Sequence, residues 1–303
     1  MKPANSASVI IPVLNGASTI ANTLGALVSQ AGVPVQTESI VVDNGSTDNT
    51  REVVSQVDVR LLDETTRGPS AARNRGLHAA TGDVILYTDA DTLPTRMWHA
   101  ELMAAFDDPG TIIAGGRVLG YPPKTAAERF MATYGIWEPE NNILRSVFPF
   151  VPSLNLAVRR DAALAIGGWD EDMLTGEDVD FSYRILKQFA GTIAYRPQAI
   201  LFHQHRQTDD ELRKQAWTYG EGGAQMYRKY PEAVTWDFSK TMHVCRLLAT
   251  RGMAPLAYAL GSLLGRSSAK RVELARYHRL WSWWWWRGFL SMYRNGERRK
   301  WAV

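Results

Sequence analysis

The chain holds a single cysteine, Cys245, among 303 residues. It therefore forms no intrachain disulfide, and a zinc site built from several cysteines is excluded. A reducing compartment fits that usage without following from it. Long membrane-spanning runs are missing too. The apolar stretch "GMAPLAYALGSLLG" at 252–265 has 14 residues between Arg251 and Arg266, short of the roughly 20 that cross a bilayer as a helix. The beginning, "MKPANSASVIIPVLNG", has neither the apolar length nor the cleavage pattern of a secretory signal, so a cytoplasmic location is expected. No G-x-G-x-x-G follows the first strand-like run, which argues against a nicotinamide dehydrogenase. "PVLNGAST" stands where a nucleotidyltransferase would carry its glycine-rich phosphate loop.

What is present describes a folded protein. Hydrophobic residues make up 45% and charged residues 21%, a globular composition that leaves no room for wholesale disorder. The length suits one large domain or two smaller ones. The net charge of +3 conceals a strong asymmetry. From Lys240 onward 13 Lys and Arg face only Glu273 and Glu297, giving +11, so residues 1–239 carry −8. An acidic body with a basic tail points to a polyanionic surface as partner. The expected division is a first domain over 1–235 and a helical, basic, tryptophan-rich extension over 236–303.

The run "VILYTDADTLP" (84–94) poses the sharpest problem. A buried-strand pattern ends in Asp89 and Asp91 with one alanine between them. Like charges so close repel, and one resists ionisation unless something cationic intervenes. Around this run, 8–15, 39–50 (breaking into a polar turn), 59–64 and 83–91 read as strands, and 17–30, 50–57 and 68–81 (a loop entering its helix at Ser70) as helices, the first capped by Ser18 or Thr19. That rhythm predicts βαβ units and a mostly parallel sheet covered on both faces. Ligands bind such sheets outside the carboxyl ends of the strands. Asn15, Asp43, Asp89 and Asp91 all fall there, which marks a site.

The segments "SVIIPVLN", "IVVDNGSTDNT", "GPSAARNRG", "ILYTDAD", "GGWDE", "GEDVDFSYR" and "FHQH" follow one another in an order that resembles family 2 glycosyltransferases of the GT-A fold, over roughly residues 8–225. The resemblance implies a Rossmann-like α/β sheet flanked by helices, with the C-terminal extension added. It also implies inverting sugar transfer from a nucleotide-diphosphate donor, assisted by Mn²⁺ or Mg²⁺. By the same carry-over Asp91 is the direct metal ligand, and Asp89 contacts the ribose or a metal-bound water. Asp43 resembles the acid that accepts the uracil imide N–H, so UDP is the expected carrier. Pro12, Asn15 and Arg73 would line the base and ribose pocket. The residues alone also allow an Asx-turn at Asp43 and a salt bridge from Arg73 to a strand-end acid.

Glu177 and Asp178 match the family's acid pair beside the acceptor. Asp178 is the expected general base, with Glu177 orienting it or the acceptor. At a helix N-terminus Asp178 is expected to have a lowered pKa, while Asp180 reads as a helix-dipole acid. One of His203 and His205 is expected to reach the metal. Trp169 and Asp170 match the acceptor-side motif, although burial is the commoner fate of a tryptophan. The glycines of 217–230 are candidates to close over the diphosphate, with Arg206, Arg213 or Lys214 as anion contacts. The aromatic stretch 121–150 is expected to fill core.

The tail "RLWSWWWWRGFLSMYRNGERRKW" (279–301) holds six of the eleven tryptophans among arginines. That composition belongs to the lipid headgroup interface. The expectation is peripheral attachment to the cytoplasmic face of an anionic membrane, in keeping with a glycan or lipid-linked acceptor. The bland alternative is a helical hairpin packed on the protein itself or on a dimer partner. A nucleotidyltransferase, and a nucleic-acid or anionic-membrane binder using the basic tail, are the competing functions. The acidic body argues against nucleic acid as partner.

Overall fold

A computed structural model describes residues 4–32, 36–135, 139–144, 146–173, 175–233, 238–263 and 268–295. Trp137, Arg266 and Trp301, singled out from the sequence, lie outside them. In chain order the elements are β1 (Ser6–Val13), α1 (Ile20–Val28), β2 (Gln36–Asp43), α2 (Thr50–Val54), β3 (Arg60–Asp63), α3 (Pro69–Ala79), β4 (Val84–Tyr87), β5 (Thr92–Pro94), α4 (Trp98–Met103) and β6 (Thr111–Gly120). There follow α5 (Ala126–Tyr134), α6 (Pro139–Leu144), β7 (Leu156–Arg159), α7 (Arg160–Ala165), α8 (Glu177–Gln188), β8 (Thr192–His203), α9 (Asp209–Lys229), α10 (Phe238–Leu263) and α11 (Ala269–Asn295).

The first of two compact units contains all eight strands, in the order β3-β2-β1-β4-β7-β6-β8-β5. The N-terminal half is parallel, as the alternation of strands and helices predicts. Beyond β4 the sheet turns antiparallel at β7, because β7 enters from a long connection rather than from a crossover helix. Alternation along β1 divides the interior. Val9, Ile11 and Val13 face Leu24, Trp98, Leu102 and Phe106 in one layer. Ile10 joins Ile40, Ala72, Leu77, Tyr87, Trp169 and Phe181 in the other. Both faces of these strands are thereby buried, which accounts for their nearly continuous apolar sequence. Thr19 precedes α1 but does not cap it, since its hydroxyl donates back to the Gly16 carbonyl at 3.2 Å.

The topology sets β2, β1 and β4 side by side, so the strand-end residues meet at one edge. Register pairs Val13 with Asp43 and Asp43 with Asp63.

The second unit contains α5, α9, α10 and α11. Capping boxes open two of these helices, Thr125 with Glu128 and Thr208 with Glu211. Phe130 stacks on Tyr277 at 5.7 Å, and Arg129 forks onto Glu273 at 3.0 and 2.8 Å. The glycines of 217–230 do not interrupt α9, which runs unbroken to Lys229. A Cβ on Gly220 would meet the Trp285 carbonyl, and one on Gly288 the Trp217 carbonyl. These glycines let α9 and α11 touch backbone to backbone, which corrects the expectation that they break the helix. Arg213 likewise bonds Asp210 at 2.9 Å.

The tail is in part the packed hairpin of the bland alternative. Trp281 is buried and Trp285 stacks on Phe289 at 5.4 Å, whereas Trp283 stays 54% exposed. Among the described residues no helix is long and apolar enough to cross a membrane. The aromatic stretch also divides: Phe130 and Phe148 are buried, while Tyr121 is exposed and stacked on Phe202 at 5.9 Å.

Candidate active site

Three threonines fix the Asp89-Ala90-Asp91 turn. Thr92 donates to the Asp89 carbonyl at 2.8 Å and shares a hydrogen bond with buried Thr88, also 2.8 Å. From α1, Thr23 reaches the Ala90 and Thr92 carbonyls at 3.0 and 2.7 Å. The turn sends its two carboxylates to different partners. Asp89 Oδ1 accepts from Arg73 at 3.2 Å. Asp91 Oδ2 lies 3.4 Å from His203 Nε2, since β5 runs antiparallel to β8 and sets Thr92 opposite His203. Asp89 thus has a permanent cation beside it in Arg73, and Asp91 a histidine that is charged only when protonated.

Arg73, 4% exposed, is the hub of the site. Its guanidinium donates to Glu177 Oε1 at 3.0 Å, to Asp89 and to Ser153 Oγ at 2.9 Å, and lies 5.0 Å over the Trp169 ring. Burial works against its charge, but Asp89, Glu177 and Asp178 outweigh burial and hold it above the ordinary arginine pKa. The salt bridge from Arg73 to a strand-end acid is observed, and it ties Asp89 to an acid of α8.

Asp178 sits in the first turn of α8, after Gly176 in the left-handed region at φ 75°. Its carboxyl accepts from its neighbour Val179 N at 2.9 Å and from Ser153 N at 3.4 Å. Burial first, then the adjacent Glu177, push its pKa up to about 7, against the pull of Arg73. The expectation of a lowered value is therefore wrong: crowding of the carboxyl by protein and by a second acid exceeds what the helix N-terminus supplies. Asp180 is fully buried and holds Arg184 at 2.7 Å. Arg184 in turn donates to the Ile166 and Gly168 carbonyls at 2.8 and 2.7 Å.

That anchor steadies the loop carrying Trp169 and Asp170. From its other side Asn74 donates to the Trp169 carbonyl at 2.9 Å and accepts from Trp169 N at 2.7 Å. The Trp169 ring is 2% exposed and stacked on Phe181 at 4.1 Å, so it supports Arg73 from beneath and offers no face to an acceptor. Asp170 is part-exposed and accepts from Asp172 N at 2.8 Å.

Asp43 makes the Asx-type turn, accepting from Ser46 N at 3.1 Å, and binds Arg51 at 3.2 Å through its other oxygen. Arg51 also grips Asp63, and those hydrogen bonds raise its pKa. Asn15, left-handed at φ 53°, clasps the same loop: its Oδ1 accepts from Thr47 N at 2.8 Å. Pro12 is part-buried on β1, in register with Val42. His205 lies past the end of β8, buried, in the second unit. Ser153, Asn74, Arg51 and Arg184 were missed. Asn74 adjoins Arg73 in "AARNRG" and was within reach of the motif, whereas Ser153 carries no local signal.

Residues 8–167 match the model of Glycosyl transferase family 2, and the chain belongs to that family. It is 31% identical to glycosyltransferase AglE of Haloferax volcanii, covering 73% of each chain. It is 32% identical to the pre-mycofactocin glycosyltransferase of Mycobacterium tuberculosis over 74% of its own length, and spans about half, 48%, of that relative. Among solved structures it shares the fold of the mannosyltransferase PcManGT from Pyrobaculum calidifontis in complex with GDP-Man and Mn²⁺. The TM-score is 0.65 at 19% identity, over 96% of this chain and 88% of that one. S. aureus TarS 1-349 in complex with UDP-GlcNAc matches at TM-score 0.54 and 17% identity, over 97% and 93%. The sheet is thus a GT-A sheet with added C-terminal helices.

Proposed function

We propose that the chain is a metal-dependent inverting glycosyltransferase. It moves a sugar from a nucleoside diphosphate, with UDP as the expected carrier, to a hydroxyl of a glycan or lipid-linked acceptor. The observation that carries this reading is the Arg73 network, which joins strand-end Asp89 to the Glu177–Asp178 pair. A donor site at the sheet edge and a base for the acceptor are thereby neighbours. In the displacement the acceptor oxygen bonds to the anomeric carbon as the bond from that carbon to the diphosphate breaks. Asp178 takes the hydroxyl proton, and a carboxylate with a pKa of about 7 is well matched to that task near neutrality. Glu177 is fixed by Arg73 and orients the acceptor. Asp170, part-exposed on its anchored loop, is the acceptor-side residue kept from the motif.

The donor pocket is assigned to Pro12, Asn15, Asp43 and Asp89. Each Asp43 oxygen already has one partner but retains a lone pair for an imide N–H. Relatives of the fold carry GDP-Man in one case and UDP-GlcNAc in another, so the base preference rests on Asp43. Asp91 and His203 are the proposed metal ligands; one oxygen and one imidazole nitrogen suit Mn²⁺ better than Mg²⁺. Among the described residues no three or more His, Cys, Asp or Glu side chains gather for a metal, so a diphosphate and water would complete the shell. A bound divalent ion would offset the charge of the departing diphosphate. The C-terminal helices are proposed to rest on the cytoplasmic face of an anionic membrane.

Titration calorimetry with a panel of nucleotide sugars in Mn²⁺, Mg²⁺ or EDTA tests the donor reading. The expected result is metal-dependent binding of a uridine sugar by the wild type and none by Asp91→Ala. Failure of every nucleotide sugar to bind in the presence of metal sinks it.

A further inference from the structure

The second unit contains a groove of about 760 Å³ whose walls include Arg213 of α9, Arg251 of α10, and Arg276, Arg279, Trp283 and Trp284 of α11. Four guanidinium groups meet two carboxylates there: Asp210 holds Arg213 at 2.9 Å, and Asp209 holds Arg276 at 3.1 Å. Arg251 donates to the Ser282 hydroxyl. Among the described residues neither Arg251 nor Arg279 has a carboxylate partner. The groove therefore keeps two uncompensated cations, in the basic segment of a chain whose residues 1–239 carry −8.

Its surroundings say what kind of anion fits. Exposed positions on α11 recur at helical spacing as Arg276, Arg279, Trp283, Arg287, Leu290 and Arg294. This stripe mixes arginine with tryptophan and leucine, as helices lying in a headgroup layer do. The neighbouring α10 exposes Met253, Leu256 and Leu260, at 69, 67 and 54%, on one face. A free phosphate has no use for an exposed apolar face, and a single-stranded nucleic acid, which could stack on Trp283, has none for exposed Met and Leu. A phospholipid layer uses both features of the α11 stripe, with a phosphate between the arginines and its apolar region against Trp283 and Leu290.

We infer that this groove is a headgroup site for the phosphate of an anionic phospholipid. The inference rests on the proposed membrane contact of the C-terminal helices, and it adds the residues and the ligand chemistry. It does not depend on which sugar is transferred.

Flotation of the full chain with vesicles is the test, using phosphatidylcholine alone or mixed with phosphatidylglycerol. Binding only to the mixed vesicles is expected. Arg251→Gln with Arg279→Gln should weaken that partition roughly thirty-fold, as the loss of two cations at an anionic surface implies. Nucleotide-sugar binding by this variant should stay at the wild-type level, which separates failure here from failure of the donor reading. Arg60→Gln with Lys187→Gln, a charge-matched pair in the first unit, should leave partition unchanged. If the double variant does not fold, Arg279→Glu alone decides, because that side chain is exposed and supports nothing. Equal partition of variant and wild type overturns the site. So does release from the vesicles by inorganic phosphate or by a single-stranded oligonucleotide at matched phosphate concentration.

Discussion

At Asp178 the protein holds a carboxyl group where burial and Glu177 favour the neutral acid, with a pKa of about 7 against the usual 3.8. Between those values the folded chain binds that proton more tightly than the unfolded chain does. The stability this group contributes is therefore fully present below about pH 4 and is lost as pH rises through about 7. Asp178→Asn should melt above the wild type at pH 8 and lose that advantage at pH 4, which calorimetric scans at the two values would read. The same substitution should lower transfer by roughly 10²–10⁴-fold, the range of general-base contributions, and kcat/KM of the wild type should climb with pH through about 7. A flat profile from pH 5 to 8 (roughly, the window where a general base is useful) would remove Asp178 as the base. Arg73 sits upstream of this titration. Arg73→Gln leaves Asp89 and Glu177 without their buried cation, so it should cost about 3–5 kcal/mol in urea denaturation. It should also move the acid limb of the rate profile to higher pH, because Arg73 lowers the Asp178 pKa. A stable variant with an unmoved limb contradicts the hub.

Strand ends were the most legible elements, because parallel topology converts sequence order into a spatial row. Asn15, Asp43 and Asp89 fall at one edge on sequence grounds alone, since β1, β2 and β4 belong to one run of βαβ units. The entry of β7 beside β4 was not legible, and with it went Ser153, whose contacts to Arg73 and Asp178 span 80 and 25 residues. The pKa of Asp178 was misread for the same reason: a local rule about helix N-termini cannot see the protein packed around the carboxyl. Glycines in α9 were misread in a similar way, as breaks rather than as contact points. Their packing makes a paired prediction. Gly220→Ala puts a methyl group against the Trp285 carbonyl and should destabilise by about 1–3 kcal/mol. Gly252→Ala, with nothing within 4 Å, should instead gain up to about 1 kcal/mol from helix propensity. Equal effects of the two on urea midpoints would mean that α9 and α11 do not meet through their glycines.

Charge is the property of the whole molecule that sequence reports directly, and the split into −8 and +11 needs no fold to be seen. How the basic segment is held does need one. Composition suggests cutting the chain near residue 235, where arginine and tryptophan begin to dominate. Yet that cut separates α9 from α11, whose glycine-mediated packing buries Ala224 against Phe289 and Met292. It also strips Phe130 of α5 of its ring contacts with Tyr277 and Trp281. Apolar surface released in this way costs about 25 cal/mol per Å², and what is exposed is a contiguous patch of the kind that drives association. A chain ending at Pro231 should therefore elute as aggregates in size-exclusion chromatography and bind a hydrophobic dye, while the full chain does neither. Were the shortened chain monomeric and dye-negative, α10 and α11 would be an appendage rather than half of a folded unit. The basic helices are then best understood as doing two things with opposite faces. One face closes the second unit over α9, and the other presents arginine, tryptophan and leucine outward, so the segment that looks most like a detachable tail supplies much of the second unit's packed interior.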